Sequence, residues 1–293
     1  TITNPTRTGY ELLSYNLSNP SAYTIDKDKT QKTLIIPANT FGDIKITPIW
    51  QANTYTVTAN ANGGTIPTTS NWTIASDSKT ATKSVSYDST YGNLPTPSKN
   101  GYDFVNWIGK NLFDKSATAY KTGYYLKADG VEVDYSAYNI YELQVPAGET
   151  ITIKNSGQSN APGYAFYSSN RTYISGANFG GKATVTATVP SNATFIRVSV
   201  NLGESYRKDI DYFQVEIGSS ATAYEEYKVV TSSTEMKTLH NHTLLATWTP
   251  KRYTITMKQN GGTGGTTSLV YYYSESAQTV SFTPPTRKGY TLS

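Results

Sequence analysis

Short runs in which every second residue is apolar recur along this 293-residue chain. Tyr55, Val57 and Ala59 alternate with threonines, and Tyr141, Leu143 and Val145 alternate with Glu142 and Gln144. The pairs Ile151 and Ile153, then Tyr164 and Phe166, and the trio Val185, Ala187 and Val189 keep the same period. Successive side chains of a strand point to opposite faces, so each run predicts a strand with one apolar face. In the next run Ile196, Val198 and Val200 predict one face, and Phe195, Arg197 and Ser199 the other. Phe213, Val215 and Ile217 form the last run of this region. Turn residues separate the runs: Pro146-Ala147-Gly148-Glu149, Ser168-Ser169-Asn170-Arg171 before Tyr173, and Pro190-Ser191-Asn192. Regularly spaced short strands with such turns predict an antiparallel sandwich.

Outside that region the chain repeats itself. A block with a proline four residues before Gly-Tyr occurs three times, as Pro5 to Gly9-Tyr10, Pro97 to Gly101-Tyr102 and Pro285 to Gly289-Tyr290. A longer block occurs twice. In it Trp50 is followed by Tyr55, Val57 and Asn62-Gly63-Gly64-Thr65, and Trp248 by Tyr253, Ile255 and Asn260-Gly261-Gly262-Thr263. The Asn-Gly-Gly step supplies left-handed positions for a turn after the strand. The spacing from Gly-Tyr to the next tryptophan is 50 − 10 = 40 residues in one copy and 248 − 102 = 146 in the other. The excess, 146 − 40 = 106 residues, is the size of a domain. A guest domain is therefore expected within the second copy. Insertion into a loop is tolerated when the guest's ends lie close together. The expected organisation is a first repeat at 1–50, a second at 51–108 with 228–250, an inserted β-sandwich at 109–227, and the start of a third repeat at 251–293.

Composition agrees with β structure. There are 25 tyrosines against 8 Phe and 4 Trp, and tyrosine and threonine favour half-buried pleated surfaces. Residues 108–227 hold 10 Lys+Arg and 12 Asp+Glu, so this region carries −2 and the remainder +6 of the net +4. Neither part has a basic stripe that would track phosphates, so no nucleic-acid partner is expected. Cysteine is absent, which excludes disulfides and thiolate chemistry. No apolar run approaches the roughly 18 residues of a membrane span, so no span is expected in this fragment. The chain opens at Thr1-Ile2-Thr3-Asn4-Pro5 and is read as a piece of something longer.

The blocks Tyr-x-Val to Asn-Gly-Gly-Thr, then Pro-x-x-x-Gly-Tyr-x-Phe-x-x-Trp at Pro97–Trp107, then Leu-x-Ala-x-Trp at Leu244–Trp248, resemble the internalin B-repeat or Listeria–Bacteroides repeat family. The first copy departs from the pattern, with Leu12 and Tyr15 where the motif has Phe and Trp. The resemblance implies a small β-grasp-like sheet with a crossing helix or turn. It also implies an extracellular location at the bacterial cell surface or cell wall of Gram-positive type, with a spacing or adhesive role. No catalytic residue comes with it. The insert resembles a module of phage tail and Firmicute surface proteins that is similar to jelly-roll carbohydrate-binding modules. The segments carrying that resemblance are Asn111–Lys115, Ala165–Gly176, Ile196–Ser199, Gln214–Glu216 and Ala221–Glu225.

Candidate chemistry is sparse. His240 and His242 share the parity of one strand face, the arrangement of a metal pair, but Glu235 is the sole nearby carboxylate. Asp209 with Asp211, or Glu225 with Glu226, are paired carboxylates by proximity only. Asp114, Asp134 and Asp211 could hold a structural calcium, yet no oxygen-rich loop of known spacing appears. No nucleophile-elbow motif occurs, so no enzymatic activity and no cofactor is expected. The sharpest expectation is sugar binding, in which aromatic faces stack on sugar rings while Asn and Arg bond hydroxyls. Its candidate residues are Tyr124, Tyr125, Tyr138, Tyr167, Asn170, Arg171, Tyr173 and Arg197, with host or cell-wall glycans or surface proteins as partners. Packing within the sandwich is the plainer role for each tyrosine. A purely structural spacer, or a substrate-targeting region of a larger extracellular enzyme, are the alternatives. Covalent Lys–Asn cross-links are a further expectation for a cysteine-free surface protein, although the sequence identifies no buried acid to promote them.

Overall fold

The computed structural model describes residues 3–18, 24–25, 34–68, 71–155, 160–203, 210–274, 277 and 279–291. They hold strands and turns and no helix. In chain order the strands are Tyr10–Leu17 (β1), Thr24–Ile25 (β2), Leu34–Ile35 (β3), Ile46–Ala52 (β4), Thr54–Asn60 (β5), Thr73–Ile74 (β6), Thr80–Ser86 (β7), Tyr102–Ile108 (β8), Lys121–Leu126 (β9) and Glu132–Gln144 (β10). They continue with Thr150–Lys154 (β11), Gly163–Tyr167 (β12), Tyr173–Asn178 (β13), Thr184–Thr188 (β14), Phe195–Asn201 (β15), Gln214–Ile217 (β16), Val229–Val230 (β17), His242–Pro250 (β18), Arg252–Thr256 (β19) and Ser268–Tyr272 (β20). The sheets have orders β17-β8-β18-β5-β7-β6, β13-β12-β15-β10-β9 and β14-β11-β16, with two-stranded β1-β4, β19-β20 and β2-β3. The chain divides into two compact units, one of Thr1–Thr58, Thr82–Leu94 and Thr231–His242, the other of Ala59–Ala81, Pro95–Val230 and Thr243–Ser293.

In the first unit β1 and β4 pair antiparallel with Leu12 opposite Trp50 and Leu13 bulged out. Gly9 precedes β1 at φ +78, and a Cβ there would lie 2.3 Å from the Tyr87 ring. Only glycine permits both that conformation and that approach. The Tyr10 ring meets Tyr87 edge to face at 5.9 Å. Asn53 N–H donates to the Gly9 carbonyl at 2.9 Å, and Tyr87 N–H to the Asn53 carbonyl at 2.8 Å.

The second unit repeats this arrangement. β8 pairs with β18 with Phe104 opposite Trp248 and Val105 bulged out, the same register and the same bulge. A Cβ on Gly101, at φ +77, would lie 2.4 Å from Tyr273. The Tyr102 and Tyr273 rings meet edge to face at 5.3 Å. Lys251 N–H donates to the Gly101 carbonyl and Tyr273 N–H to the Lys251 carbonyl, at 2.9 and 2.8 Å. Gly9-Tyr10 and Gly101-Tyr102 thus form sockets for Tyr87 and Tyr273.

The two recurring blocks clasp each other. Thr65 and Ser98 exchange backbone hydrogen bonds at 2.8 Å each, and Thr263 and Thr286 do the same at 2.7 and 2.9 Å. The basic residue two places after the proline lies over the Gly-Tyr ring in all three copies: Arg7 over Tyr10, Lys99 over Tyr102 and Arg287 over Tyr290, at 3.6, 4.4 and 4.1 Å. Between β5 and β7 the described residues form turns and the two-residue β6.

Between β8 and β17 the chain builds two antiparallel sheets around one apolar core. Tyr141, Leu143, Tyr164, Phe166, Ile196 and Val198 face it from the five-stranded sheet, and Ile151, Ile153 and Val215 from the three-stranded one. Full burial of a Leu, Ile, Val or Phe side chain stabilises by roughly 1.5–3 kcal/mol. The entering and leaving segments are neighbours. Val229 pairs with Ile108, and Gly109 N–H donates to the Lys228 carbonyl at 2.9 Å. Ile108 and Leu245 belong to the same core, which therefore runs on into β8 and β18.

The alternation places Phe195, Arg197 and Ser199 on the face of β15 turned from the apolar core, and the structure covers that face as well. Ser199 is fully buried because the β9–β10 hairpin lies across that face. Leu126 N–H donates to Ser199 Oγ at 2.8 Å, and Leu126 packs on Ile140, Ala165 and Tyr167. A register shift between Asp134 and Asn139 lets the 13-residue β10 bend and serve both arms.

Candidate functional site

The outer face of the five-stranded sheet gathers the charged and aromatic candidates. Arg197 projects from the middle of β15 and is only 6% exposed. Its guanidinium lies between two rings, 3.6 Å from the centroid of Tyr120 and 4.1 Å from that of Tyr167. A desolvated cation on an aromatic face gains up to about 2 kcal/mol. Its Nε donates to Glu142 at 3.0 Å, and Glu132 lies 3.7 Å from a terminal nitrogen. Truncating one partner of such a buried pair strands the other, so the group acts as a unit. Burial pushes the Tyr167 hydroxyl above its usual range, while the Arg197 charge opposes the shift.

Arg171 reaches the same carboxylate from the β12–β13 turn, 3.0 Å from Glu142, with its guanidinium 4.7 Å over the Phe195 ring. The turn holds it there: Arg171 adopts φ +63, and the Asn170 carbonyl accepts from Thr172 Oγ1 at 3.0 Å and from the Ser168 hydroxyl. At the other end Lys121 pairs with Glu132 at 2.7 Å and lies 3.7 Å over the Tyr124 ring. The Glu132 partner holds the Lys121 ammonium above the usual lysine range.

Four of the eight candidate residues thus converge: Tyr124, Tyr167, Arg171 and Arg197. Tyr173 adjoins Tyr167 edge to face at 6.1 Å, and its hydroxyl donates to the Ala128 carbonyl at 2.8 Å. Tyr125 and Tyr138 form a separate cluster with Tyr135. Asn170 is engaged in its turn. The sequence reading missed Tyr120, Glu132 and Glu142. Glu142 was legible as the polar residue between Tyr141 and Leu143. Tyr120 precedes its strand and carried no period. Tyr120 is 44% exposed, so one ring face covers Arg197 while much of the side chain meets solvent.

A cleft of about 760 Å³ opens beside this face within the same unit. Asp77, Lys79, Lys99, Gln144, Glu149 and Arg171 contribute its polar lining. Gln144 ties the walls together: its amide donates to the Trp248 carbonyl at 2.7 Å, and its Oε1 accepts from Trp248 N–H at 3.1 Å.

The other candidates lie elsewhere. His242 Nδ1 faces the His240 carbonyl at 3.1 Å, so Nε2 accepts from the buried Tyr91 hydroxyl at 2.8 Å. His240 Nδ1 turns instead to the Asn241 carbonyl at 2.7 Å. Glu225 pairs with Lys110 and Glu226 with Lys115. Asp114 accepts from the backbone and hydroxyl of Ser116. Asp209 lies outside the described residues. Among the described residues no three His, Asp or Glu side chains gather as a metal site.

Fold and repeats together define an all-β repeat protein with no helix long and apolar enough to cross a membrane among the described residues. Residues 55–130 and 253–293 match the model of the Listeria-Bacteroides repeat domain, which occurs in surface and extracellular proteins of bacteria. The first matched segment runs past β8 and through β9 to residue 130. No curated protein and no solved structure matches the chain.

Proposed function

We propose that the chain is a non-enzymatic segment of a bacterial cell-surface or cell-wall adhesin. In this reading residues 1–50, 51–108 with 228–250, and 251–293 are β-grasp-like spacer repeats. Residues 109–227 are an inserted jelly-roll-type module that recognises glycans. The observation carrying the reading is the outer-face cluster, where the half-exposed Tyr120 ring lies on Arg197 beside Glu142 and Glu132. An aromatic face bordered by fixed charged groups suits a sugar ring and its hydroxyls. Arg171 continues the polar surface toward the cleft.

The test is a glycan array probed with the whole chain, together with thermal shifts in the sugars that score. Binding is expected, and Tyr120→Ala should abolish it while the chain still unfolds cooperatively at a modestly lowered melting temperature, the ring being one of Arg197's two aromatic partners. An array without hits, and no shift with any sugar, counts decisively against recognition. A second reading, a spacer without ligand, is favoured by the burial of Tyr138 and Tyr167, whose rings are committed to packing.

A further inference from the structure

The segments that open and close the insert meet beside β16. Asn111 joins them. Its Oδ1 accepts from Phe113 N–H and Val215 N–H at 3.0 and 3.1 Å, and its amide donates to the Phe213 and Glu225 carbonyls at 3.2 and 3.1 Å. Next to it lies a second polar group with a different geometry. Glu216 is 2% exposed and Gln214 fully buried, both on the face of β16 turned away from the apolar core.

One carboxylate holds two reactive partners. Glu216 Oε2 accepts from the Thr222 hydroxyl at 2.7 Å, while Oε1 accepts from the Gln214 amide and from Thr222 N–H, each at 2.8 Å. On its other side the same hydroxyl oxygen accepts from the Lys110 ammonium. Lys110 is also placed by the Ala223 carbonyl at 2.6 Å and Glu225 at 3.2 Å. The Gln214 carbonyl oxygen accepts from Glu225 N–H at 2.9 Å.

These are the parts of an acyl transfer: a hydroxyl between a base and a cation, and a carboxamide whose oxygen faces a donor. The geometry points to an intramolecular ester between Thr222 Oγ1 and Gln214 Cδ. Glu216 takes the hydroxyl proton as Oγ1 bonds to Cδ. The carbonyl oxygen becomes an oxyanion facing Glu225 N–H, and Lys110 steadies the attacking oxygen. Collapse breaks the Cδ–Nε2 bond, and the proton held by Glu216 passes to the leaving nitrogen, so ammonia departs. A carboxamide and an alcohol become an ester and ammonia, with no oxidant or co-reactant.

Intact mass of the denatured full chain tests this. The expected value lies about 17 Da below the sequence mass, the loss of one ammonia. Peptide mapping should join Thr222 to Gln214, and hydroxylamine should open the link. Glu216→Gln, with folding verified by thermal unfolding, should show no ammonia loss. A native chain at the full sequence mass overturns the proposal. So does a link mapped to Lys110, or one that persists in the folded Glu216→Gln variant.

Discussion

The β1–β4 and β8–β18 pairs are the same structure written twice, yet they are not equally buried. Leu12 faces Trp50 as Phe104 faces Trp248, and the bulge falls at the equivalent residue. Trp50 is nevertheless half-buried, whereas Trp248 is 5% exposed. The difference lies in the turn at Asn62-Gly63-Gly64. The Trp248 indole donates to the Ala61 carbonyl at 3.0 Å, and the Asn62 amide to the Ala246 carbonyl at 3.0 Å. A Cβ on Gly64 would sit 2.6 Å from the Trp248 ring. Local sequence sets the register of a strand pair, and the long-range clasp sets how much of it is sheltered.

Removing each tryptophan should break this comparison most strongly. Trp248→Ala deletes a buried ring and leaves a cavity, so the expected loss is roughly 3–5 kcal/mol in denaturant unfolding. Trp50→Ala should lose about 1–2 kcal/mol, because its ring already meets water. Equal losses would show that the turn contributes little to the burial of Trp248.

The same contrast explains what the sequence made legible. Period-two runs located the strands whose faces meet the core between β8 and β17, because Val198 or Ile153 records its environment in its own residue type. The repeat spacing leaves an excess of residues between two copies of one block, and Ile108 and Val229 at its two ends pair with each other. The outer face was not legible. Ser199 and Arg197 are polar residues on the second face of their strand, and nothing in β15 reveals that a hairpin more than sixty residues earlier folds over them. Tyr120 and Glu132 were hidden for the same reason: their partner Arg197 is remote in sequence.

A smaller effect separates the sockets. Gly101 and Gly289 share nearly the same left-handed φ, +77 and +79, so alanine carries about 1–2 kcal/mol of backbone strain at either. At Gly101 the new Cβ also meets the Tyr273 ring at 2.4 Å, whereas among the described residues nothing lies within 4 Å at Gly289, and Tyr290 is 67% exposed. Gly101→Ala should therefore be roughly 1–3 kcal/mol more destabilising than Gly289→Ala. Identical melting temperatures for the two variants would mean that the tyrosine contact in the socket is not a tight one.

The smallest expected difference distinguishes the two occupied sockets by acid. At the first, the Tyr10 hydroxyl donates to Asp88 at 2.7 Å, and Lys237 pairs with the same carboxylate. At the second, Ser274 follows Tyr273 where Asp88 follows Tyr87. The hydrogen bond from Lys237, and then that from Tyr10, hold the Asp88 carboxyl below its ordinary value of 3.8. A depressed carboxyl contributes stability that is complete above the ordinary value and fades as pH falls through the lower folded one. These groups face solvent, so salt and water screen the contribution and it should be small. Ring resonances report it locally. Between about pH 2 and 5 the Tyr10 signals should move as Asp88 takes its proton, while those of Tyr102, whose neighbour Asp103 is exposed, should move less. Asp88→Asn should remove the Tyr10 response without disturbing the socket, since Gly9 and Tyr87 keep their contact. A Tyr102 response of the same size would mean that acid acts on the repeats through a group other than Asp88.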